Sequence, residues 1–192
     1  MTLDRPAAGV VVAQPDRGFR YTSDAMWLAR FAIATGSLPR TALDLGTGSG
    51  VVAMLLAARG VTVHGIDADT SWAPLWTETL ARSEVSGKVT LAIGRVEDED
   101  DARYDLVVAN PPYGPAGTGP VPADPLRASA RVEADGGLAA FVRRAARAAI
   151  DRSCFVLPRN REDELVRLGA EHGLDVRSVE RVGRRRSLVC FG

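Results

Sequence analysis

The sequence is poor in the residues that would point to a secreted, metal-binding or membrane protein. Its 192 residues include two cysteines and two histidines, and neither pair has the spacing of a metal site or a disulfide framework. It has no apolar run of about 18 residues that could cross a membrane, and no basic-then-apolar secretory signal at its start. We therefore expect a cytoplasmic protein without a metal, in which Cys154 and Cys190 are buried free thiols.

A surplus of charge of either sign is also missing. Basic and acidic residues number 24 each, which leaves a formal net charge of zero. Tight, unspecific binding of a polyanion normally needs a basic excess, so the balance excludes binding of nucleic acid by overall charge alone. Local basic groups occur at Arg143, Arg144 and Arg147 and in the turn Arg184 to Arg186, for which a solvated face is the simpler interpretation.

What the sequence does contain is an alternation of short β-branched runs with longer helical patterns. This alternation predicts strands at 41–45, 61–66, 88–93, 104–109 and 154–158, and helices at 49–59, 71–84, 138–150 and 160–173. Asn160 and Gly173 have the residue types of an N-cap and a C-cap for the last helix. The tail, 174–182 and 187–192, resembles an antiparallel pair of strands separated by a GRRR turn.

The order of these elements predicts a single α/β domain over residues 1–192. Residues 37–192 are expected to form a Rossmann-like, doubly wound sheet of seven strands. Residues 1–36 are expected to form a short strand, a polar turn and a helix with Ser23 as its N-cap, and to act as a lid. The proline- and glycine-rich segment 111–125 is expected to be a functional or mobile loop, and residues 114–125 are expected to become ordered only when an acceptor is present.

A glycine-rich loop follows the first core strand in the sequence LDLGTGSG. Gly46, Gly48 and Gly50 stand between that strand and its helix, where missing side chains let a ligand approach the backbone N–H groups. The third glycine comes one residue too early for the dinucleotide pattern G-x-G-x-x-G, so pyrophosphate binding is disfavoured. The simplest alternative is a tight strand-to-helix turn without a ligand.

Two acidic residues flank this loop in a way that favours a ligand. Asp44 precedes the glycines, and Asp67 ends the second strand in HGIDAD, one helix and one strand further on. A carboxylate at the end of that strand can accept hydrogen bonds from both hydroxyls of a ribose, while Asp44 can hold an amino group directly or through water. The combination fits a nucleoside with a positive centre, as in S-adenosylmethionine.

The tetrapeptide NPPY directly follows the apolar run YDLVVA. The Asn110 side-chain oxygen and the Pro111 carbonyl can accept both N–H groups of a conjugated amino group and so direct its lone pair toward a methyl donor. Pro111 and Pro112 fix the turn, and Tyr113 can stack on a planar group, a contact worth roughly 1–3 kcal/mol for a base. A rigid turn that merely ends a strand is the alternative.

LDLGTGSG, GID and NPPY, in that order, resemble the motifs of the class I S-adenosylmethionine-dependent amino-methyltransferases. The resemblance implies the seven-stranded fold, S-adenosylmethionine as cofactor without a metal, and a catalytic site of Asn110, Pro111, Pro112 and Tyr113. The cofactor-binding residues that it implies are Arg20, Asp44, Gly46, Thr47, Gly48, Gly50, Asp67, Ala68, Val96 and Asn110. The family usually has Gly-Asp after the third strand, whereas this chain has Gly94-Arg95, which leaves the donor-adenine contact to Val96 or Glu97.

Residues 14–31, QPDRGFRYTSDAMWLARF, are similar to the N-terminal signature of the adenine-N6 methyltransferases that modify the anticodon loop of valine tRNA. The matching positions are Gln14, Gly18, Phe19, Arg20, Ser23, Asp24 and Ala25. Downstream, Ala130, Arg131 and Glu133 are similar to an Ala-Arg-x-Glu segment of that family. We therefore predict adenine-N6 methylation of tRNA or another RNA, with no membrane association and no obligate protein partner evident.

Other acceptors remain open from the sequence. The same NPPY chemistry permits methylation of a protein glutamine amide, although the enzymes that do this carry an added N-terminal helical domain. A small-molecule amine or amide fits the neutral charge and the short chain. A donor-binding module without activity is a further alternative, which the intact Asn110 and Tyr113 disfavour.

Overall fold

The structure is a computed structural model of the chain and describes residues 1–17, 20–98, 101–112 and 137–192. The strands in these ranges are β1 (Thr2–Ala7), β2 (Val10–Gln14), β3 (Thr41–Leu45), β4 (Thr62–Asp67), β5 (Val89–Ile93), β6 (Tyr104–Ala109), β7 (Ala149–Pro158), β8 (Val176–Val182) and β9 (Arg186–Phe191). The α-helices are α1 (Ser23–Ala34), α2 (Val51–Ala57), α3 (Ala73–Arg82), α4 (Gly137–Ala148) and α5 (Glu162–Glu171). Short 3-10 turns cover Thr70–Trp72, Ser86–Lys88 and Arg159–Arg161.

Seven of the strands form one sheet in the order β5-β4-β3-β6-β7-β9-β8. The first five strands in this order are parallel, and β9 runs antiparallel to both β7 and β8. The predicted seven-stranded α/β sandwich with an antiparallel tail is therefore confirmed. Strand β7 begins at Ala149 rather than at residue 154, so residues 149 and 150, predicted as helix, belong to the sheet.

The sheet separates two apolar clusters. Leu106 and Val108 of β6 face the cluster under α1 and α2, while Val107 and Ala109 face the cluster under α4 and α5. All four side chains are fully buried, which explains why this strand is an uninterrupted apolar run in the sequence. Cys154 and Cys190 lie opposite each other on β7 and β9 and are buried free thiols, as predicted.

The N-terminal segment contains a two-stranded hairpin, not the single strand expected. β1 pairs antiparallel with β2, and β1 was missed because its sequence TLDRPA has no apolar alternation. All five residues of β2 are buried, and its free edge is hydrogen-bonded by α3 and by Ser83, the residue that follows α3. Ser83 Oγ accepts from Val11 N and donates to Val11 O, both at 2.9 Å, and Thr79 Oγ1 accepts from Ala13 N at 2.9 Å. These bonds attach the hairpin to the core, and its role as a lid stays a prediction.

The ends of two helices differ from the sequence prediction. The N-cap of α1 is Thr22, not Ser23, because the Thr22 hydroxyl accepts a hydrogen bond from Asp24 N at 3.3 Å. Asn160 lies inside a 3-10 turn, and α5 begins only at Glu162. Gly173 lies just beyond the end of α5 with φ +74°, the left-handed conformation that glycine favours there.

A buried arginine holds the end of α1. Arg152 on β7 is 1% exposed, and its guanidinium donates to Ala32 O at 3.1 Å and to Ser37 O at 2.9 Å. A β-carbon at Gly36 would lie 2.9 Å from Arg152 Nη1, so the turn after α1 needs a glycine for steric reasons. The arginine thus binds carbonyl groups at and just beyond the last turn of the helix that carries the N-terminal signature.

Candidate active site

Strand register brings three predicted site segments together at the carboxyl edge of the sheet. Leu45 at the end of β3 is paired with Ile66 on one side and with Ala109 on the other. The next residues along these three strands are Gly46, Asp67 and Asn110. The start of the glycine loop therefore lies between the acidic end of β4 and the first residue of NPPY.

The glycines of the loop are required by its shape. Gly46, Gly48 and Gly50 have φ values of 65°, 54° and 80°, a left-handed conformation that other residues rarely adopt. A β-carbon added at Gly46 would lie 3.1 Å from the Phe141 ring, and one added at Gly50 would lie 2.9 Å from Leu91 Cδ1. The loop is therefore closely packed on the protein side.

Hydrogen bonds hold the same loop from two directions. Thr47 N donates to Ile66 O at 2.9 Å, and Trp76 Nε1 donates to Gly48 O at 2.8 Å. Trp76 is 4% exposed and comes from α3. Neither this contact nor that of Phe141 was predicted from the sequence. The signal available for Trp76 is the pair of tryptophans four residues apart in SWAPLW, soon after the acidic end of β4.

Asp67 is half-buried at the mouth of the loop. One carboxylate oxygen accepts from Gly48 N at 2.8 Å and the other from Asp69 N at 2.9 Å. Burial raises the pKa of Asp67, and the two backbone hydrogen bonds act in the opposite direction. Each oxygen retains a further lone pair, so the oriented carboxylate can still accept hydrogen bonds from two hydroxyl groups of a ligand.

Asp44 lies behind the loop and is 2% exposed. It accepts a hydrogen bond from Thr47 Oγ1 at 2.6 Å, and no arginine or lysine among the described residues forms an ion pair with it. Burial raises its pKa to about 7, although the hydrogen bonds from Thr47 and from the Ala53 backbone lower it. A buried carboxylate of this kind favours a nearby cation, so the donor set fits the sulfonium and ammonium groups of S-adenosylmethionine.

The described part of NPPY ends at Pro112. Asn110 is half-buried, Pro111 is buried and Pro112 is half-buried. Tyr113 lies outside the described residues, as do the loop 114–125 and the segment with Ala130, Arg131 and Glu133. Gly18 and Phe19 of the N-terminal signature also lie outside them.

The structure also shows the surroundings of three more predicted cofactor residues. The guanidinium of Arg20 donates to Thr2 Oγ1 at 2.7 Å and to Asp4 at 3.0 Å, so its observed partners belong to β1. Val96 is buried at 8% exposure in the cluster under α4 and α5. Ala68 is exposed directly after Asp67. Their contacts with a cofactor stay predictions, as do the roles of the other site residues.

The described ranges were also compared with the requirements of a metal site and of a membrane-spanning helix. Within the described ranges, no group of three or more His, Cys, Asp or Glu side chains is arranged to hold a metal ion. No helix in the same ranges combines the length and the apolar character needed to cross a membrane.

Comparison with known proteins gives matches over most of the chain. The family model of the methyltransferase small domain matches residues 27–145, well over half of the chain. This range includes the glycine loop, Asp67 and all of NPPY.

Among curated proteins, the tRNA1(Val) (adenine(37)-N6)-methyltransferase of Aeromonas salmonicida is 34% identical over 142 residues, which cover 70% of this chain and 58% of that protein. The chain thus spans less than two thirds of this relative's length.

Among solved structures, a proposed RNA methyltransferase from Pyrococcus horikoshii has a TM-score of 0.66 at 23% identity, covering 91% of this chain and 89% of its own. The magnesium protoporphyrin IX methyltransferase of Synechocystis, solved with bound S-adenosylhomocysteine, has a TM-score of 0.64 at 14% identity, with 87% and 80% covered. Both structures share the fold.

Proposed function

Because the chain belongs to the methyltransferase small domain family, we propose that it methylates a planar exocyclic amino group, adenine N6 in tRNA or another RNA. S-adenosylmethionine is the methyl donor. One observation carries the proposal. The glycine loop and NPPY begin side by side, because Leu45 and Ala109 are paired at the ends of β3 and β6.

Donor binding falls to the glycine loop and its two carboxylates. The bound donor supplies an electrophilic methyl group on a sulfonium. Asp67 accepts hydrogen bonds from the ribose hydroxyls, and its geometry is preset by Gly48 N and Asp69 N. Asp44 provides negative charge behind the loop, where low solvent exposure strengthens its attraction for a cation. The hydrogen bond from Trp76 to Gly48 O keeps the loop from shifting away from the ligand.

Acceptor binding falls to the segment after β6. The side-chain oxygen of Asn110 and the carbonyl of Pro111 accept the two N–H groups of the target amine. This arrangement turns the nitrogen lone pair toward the donor methyl group and holds the two reactants in line. The nitrogen becomes cationic on transfer and then releases its proton to solvent, so these residues need not act as a strong base.

The choice of RNA as acceptor has two supports. The N-terminal signature resembles that of the valine tRNA enzymes, and the Aeromonas salmonicida relative is named as a tRNA adenine-N6-methyltransferase. A tRNA substrate would also be in keeping with the cytoplasmic location expected from the sequence. Glutamine amides and small amines are the competing acceptors.

The test is transfer of labelled methyl from S-adenosylmethionine to total tRNA, total protein and a small-molecule extract in parallel. We expect label in tRNA, recovered after nuclease digestion as N6-methyladenosine. Label found only in protein or only in the small-molecule fraction, with all tRNA unlabelled, would reject the RNA proposal while retaining the donor chemistry.

A further inference from the structure

Two arginine-containing segments far apart in the chain meet beside the candidate active site. Arg159 follows the end of β7, and Arg184 and Arg185 form the turn before β9. The backbone joins them, since Arg159 N donates to Arg185 O at 2.9 Å and Pro158 is paired with Arg186. Because β9 runs antiparallel to β7, this turn lies at the carboxyl edge of the sheet, the edge that also carries the glycine loop and NPPY.

The three side chains Arg159, Arg184 and Arg185, which we call the arginine corner, are exposed. Within the described residues, none of them forms an ion pair. The nearby acids form salt bridges with other arginines: Asp24 with Arg186 at 2.7 Å, Glu162 with Arg181 at 2.6 Å and Glu164 with Arg161 at 2.8 Å. Of these acids, Glu162 also interacts electrostatically with Arg159, without a salt bridge. The corner therefore keeps a local positive charge although the chain as a whole is neutral.

The corner lies at a useful distance from the acceptor position. β6 and β9 are separated by one strand, β7, and so by about 10 Å across the sheet. Along the strands, Ala109 is level with Phe155 and Val189, and Arg186 is three residues further toward the carboxyl edge, a rise of about 10 Å. The backbone of the corner is therefore roughly 15 Å from the end of β6, a span of about four stacked nucleotides.

We propose that the arginine corner binds the phosphate backbone of the RNA substrate a few nucleotides away from the target adenine. This inference rests on the proposed function. Exposed guanidinium groups that form no salt bridge lose little hydration and give up no ion pair when they bind phosphate. The corner supplies the local charge that the neutral composition lacks, and it positions the RNA without reading its sequence.

The test compares two triple variants that remove the same charge. R159Q/R184Q/R185Q removes the corner. R40Q/R59Q/K88Q removes three exposed cations from the opposite, amino edge of the sheet, where these residues precede β3, β4 and β5. The measurements are methyl transfer to tRNA, calorimetry with S-adenosylmethionine, and tRNA affinity across a salt series.

We expect the corner variant to raise KM for tRNA at least tenfold and to reduce the slope of log affinity against log salt by about two, since each phosphate contact contributes about 0.7–0.9. Donor affinity and melting temperature should match the wild type, and the amino-edge variant should keep both the KM and the slope. R159K/R184K/R185K, which retains the charges, should keep most of the affinity.

Failure of this inference is distinct from failure of the proposed function. If the wild type methylates tRNA and the corner variant has an unchanged KM and salt slope, the corner does not bind phosphate and the function stands. If the two triple variants lost tRNA affinity equally, or if the lysine variant lost as much affinity as the glutamine variant, phosphate binding by the corner would also be rejected. A wild type that neither binds nor methylates tRNA would reject the function and the inference together.

Discussion

The two halves of the sheet's carboxyl edge differ in both charge and burial. On the β3–β4 side, Asp44 is buried, Asp67 is half-buried, and backbone hydrogen bonds fix the loop between them. On the β7–β9 side, Arg159, Arg184 and Arg185 are exposed and form no ion pairs with described residues. A small cationic donor needs a rigid, partly dehydrated site, whereas a long polyanion is bound by solvated charges at the surface. Asn110 lies between these halves, beside the loop.

The largest effect is expected at Asn110, the boundary between the halves. Asn110→Ala removes the proposed hydrogen-bond acceptor for the target amine, so turnover should fall by roughly 10²–10³ or more, while donor affinity stays within a few-fold of wild type. Methyl-transfer kinetics and calorimetry measure the two quantities. Asn160→Ala, the same change at an exposed asparagine, is the matched control and should have wild-type kinetics. If folded Asn110→Ala lost donor binding, Asn110 would have to be assigned to the donor site on the β3–β4 side.

The rigidity of the glycine loop on the β3–β4 side can be tested at Gly46. Gly46→Ala imposes a left-handed conformation on alanine and brings its β-carbon against Phe141, so donor affinity should fall by tenfold or more. Gly173→Ala has a similar positive φ but nothing within 4 Å of the added β-carbon. Both variants should lose about 1–2 kcal/mol of stability from backbone strain, but only Gly46→Ala should lose donor affinity in calorimetry. Equal donor affinities would show that the loop tolerates movement.

Asp67 tests whether the preset carboxylate binds the donor. Asp67→Ala should weaken S-adenosylmethionine binding by about 1.5–3 kcal/mol, the range for hydrogen bonds to a charged group. Calorimetry measures the change, and Asp163→Ala, which removes an exposed acid from α5, serves as the control. An unchanged affinity in Asp67→Ala would remove this residue from the site.

The raised pKa of Asp44 predicts that donor affinity, but not tRNA binding, depends on the ionisation of this residue. With a pKa of about 7 in the free protein, Asp44 is mostly protonated at pH 6 and mostly ionised at pH 8. A bound cation favours the ionised form, so donor affinity should rise by about tenfold between these pH values. Asp44→Asn should flatten the profile and should not alter the salt dependence of tRNA binding. A wild-type profile that is flat, or that falls with pH, would contradict a cation beside Asp44.

The smallest effect is expected at Arg20. Its contacts with Thr2 and Asp4 are exposed, and an exposed ion pair is worth about 0–1 kcal/mol. We expect Arg20→Ala to leave donor affinity within about twofold, with a slight loss of stability in thermal unfolding. A tenfold loss of donor affinity would instead support the cofactor contact that the sequence predicts. If Arg20→Ala lost only RNA affinity, and did so in a salt-dependent way, Arg20 would be a further phosphate contact beside those of the arginine corner.

The elements of the core were predictable because each depends on nearby residues. The apolar run at 104–109 is β6, and TALDL is β3, since a strand buried on both faces needs a continuous apolar sequence. The hairpin strand β1 was missed because its edge position requires no such pattern. The end of α4 was placed too late because Ala149 and Ile150 fit a helix locally, while pairing with β6 makes residue 149 part of the sheet.

The sequence by itself determined the residue types on which the proposed chemistry depends: the left-handed glycines of the loop, the acids at the ends of β3 and β4, and the asparagine and prolines after β6. Their identity follows from local backbone and hydrogen-bonding requirements. Only the tertiary structure decided which distant side chains support them. Trp76 reaches Gly48, Arg152 binds the end of α1, and Arg159 meets Arg185. These contacts depend on strand order and register, which are set by the packing of the whole sheet and have no periodic signal in the sequence.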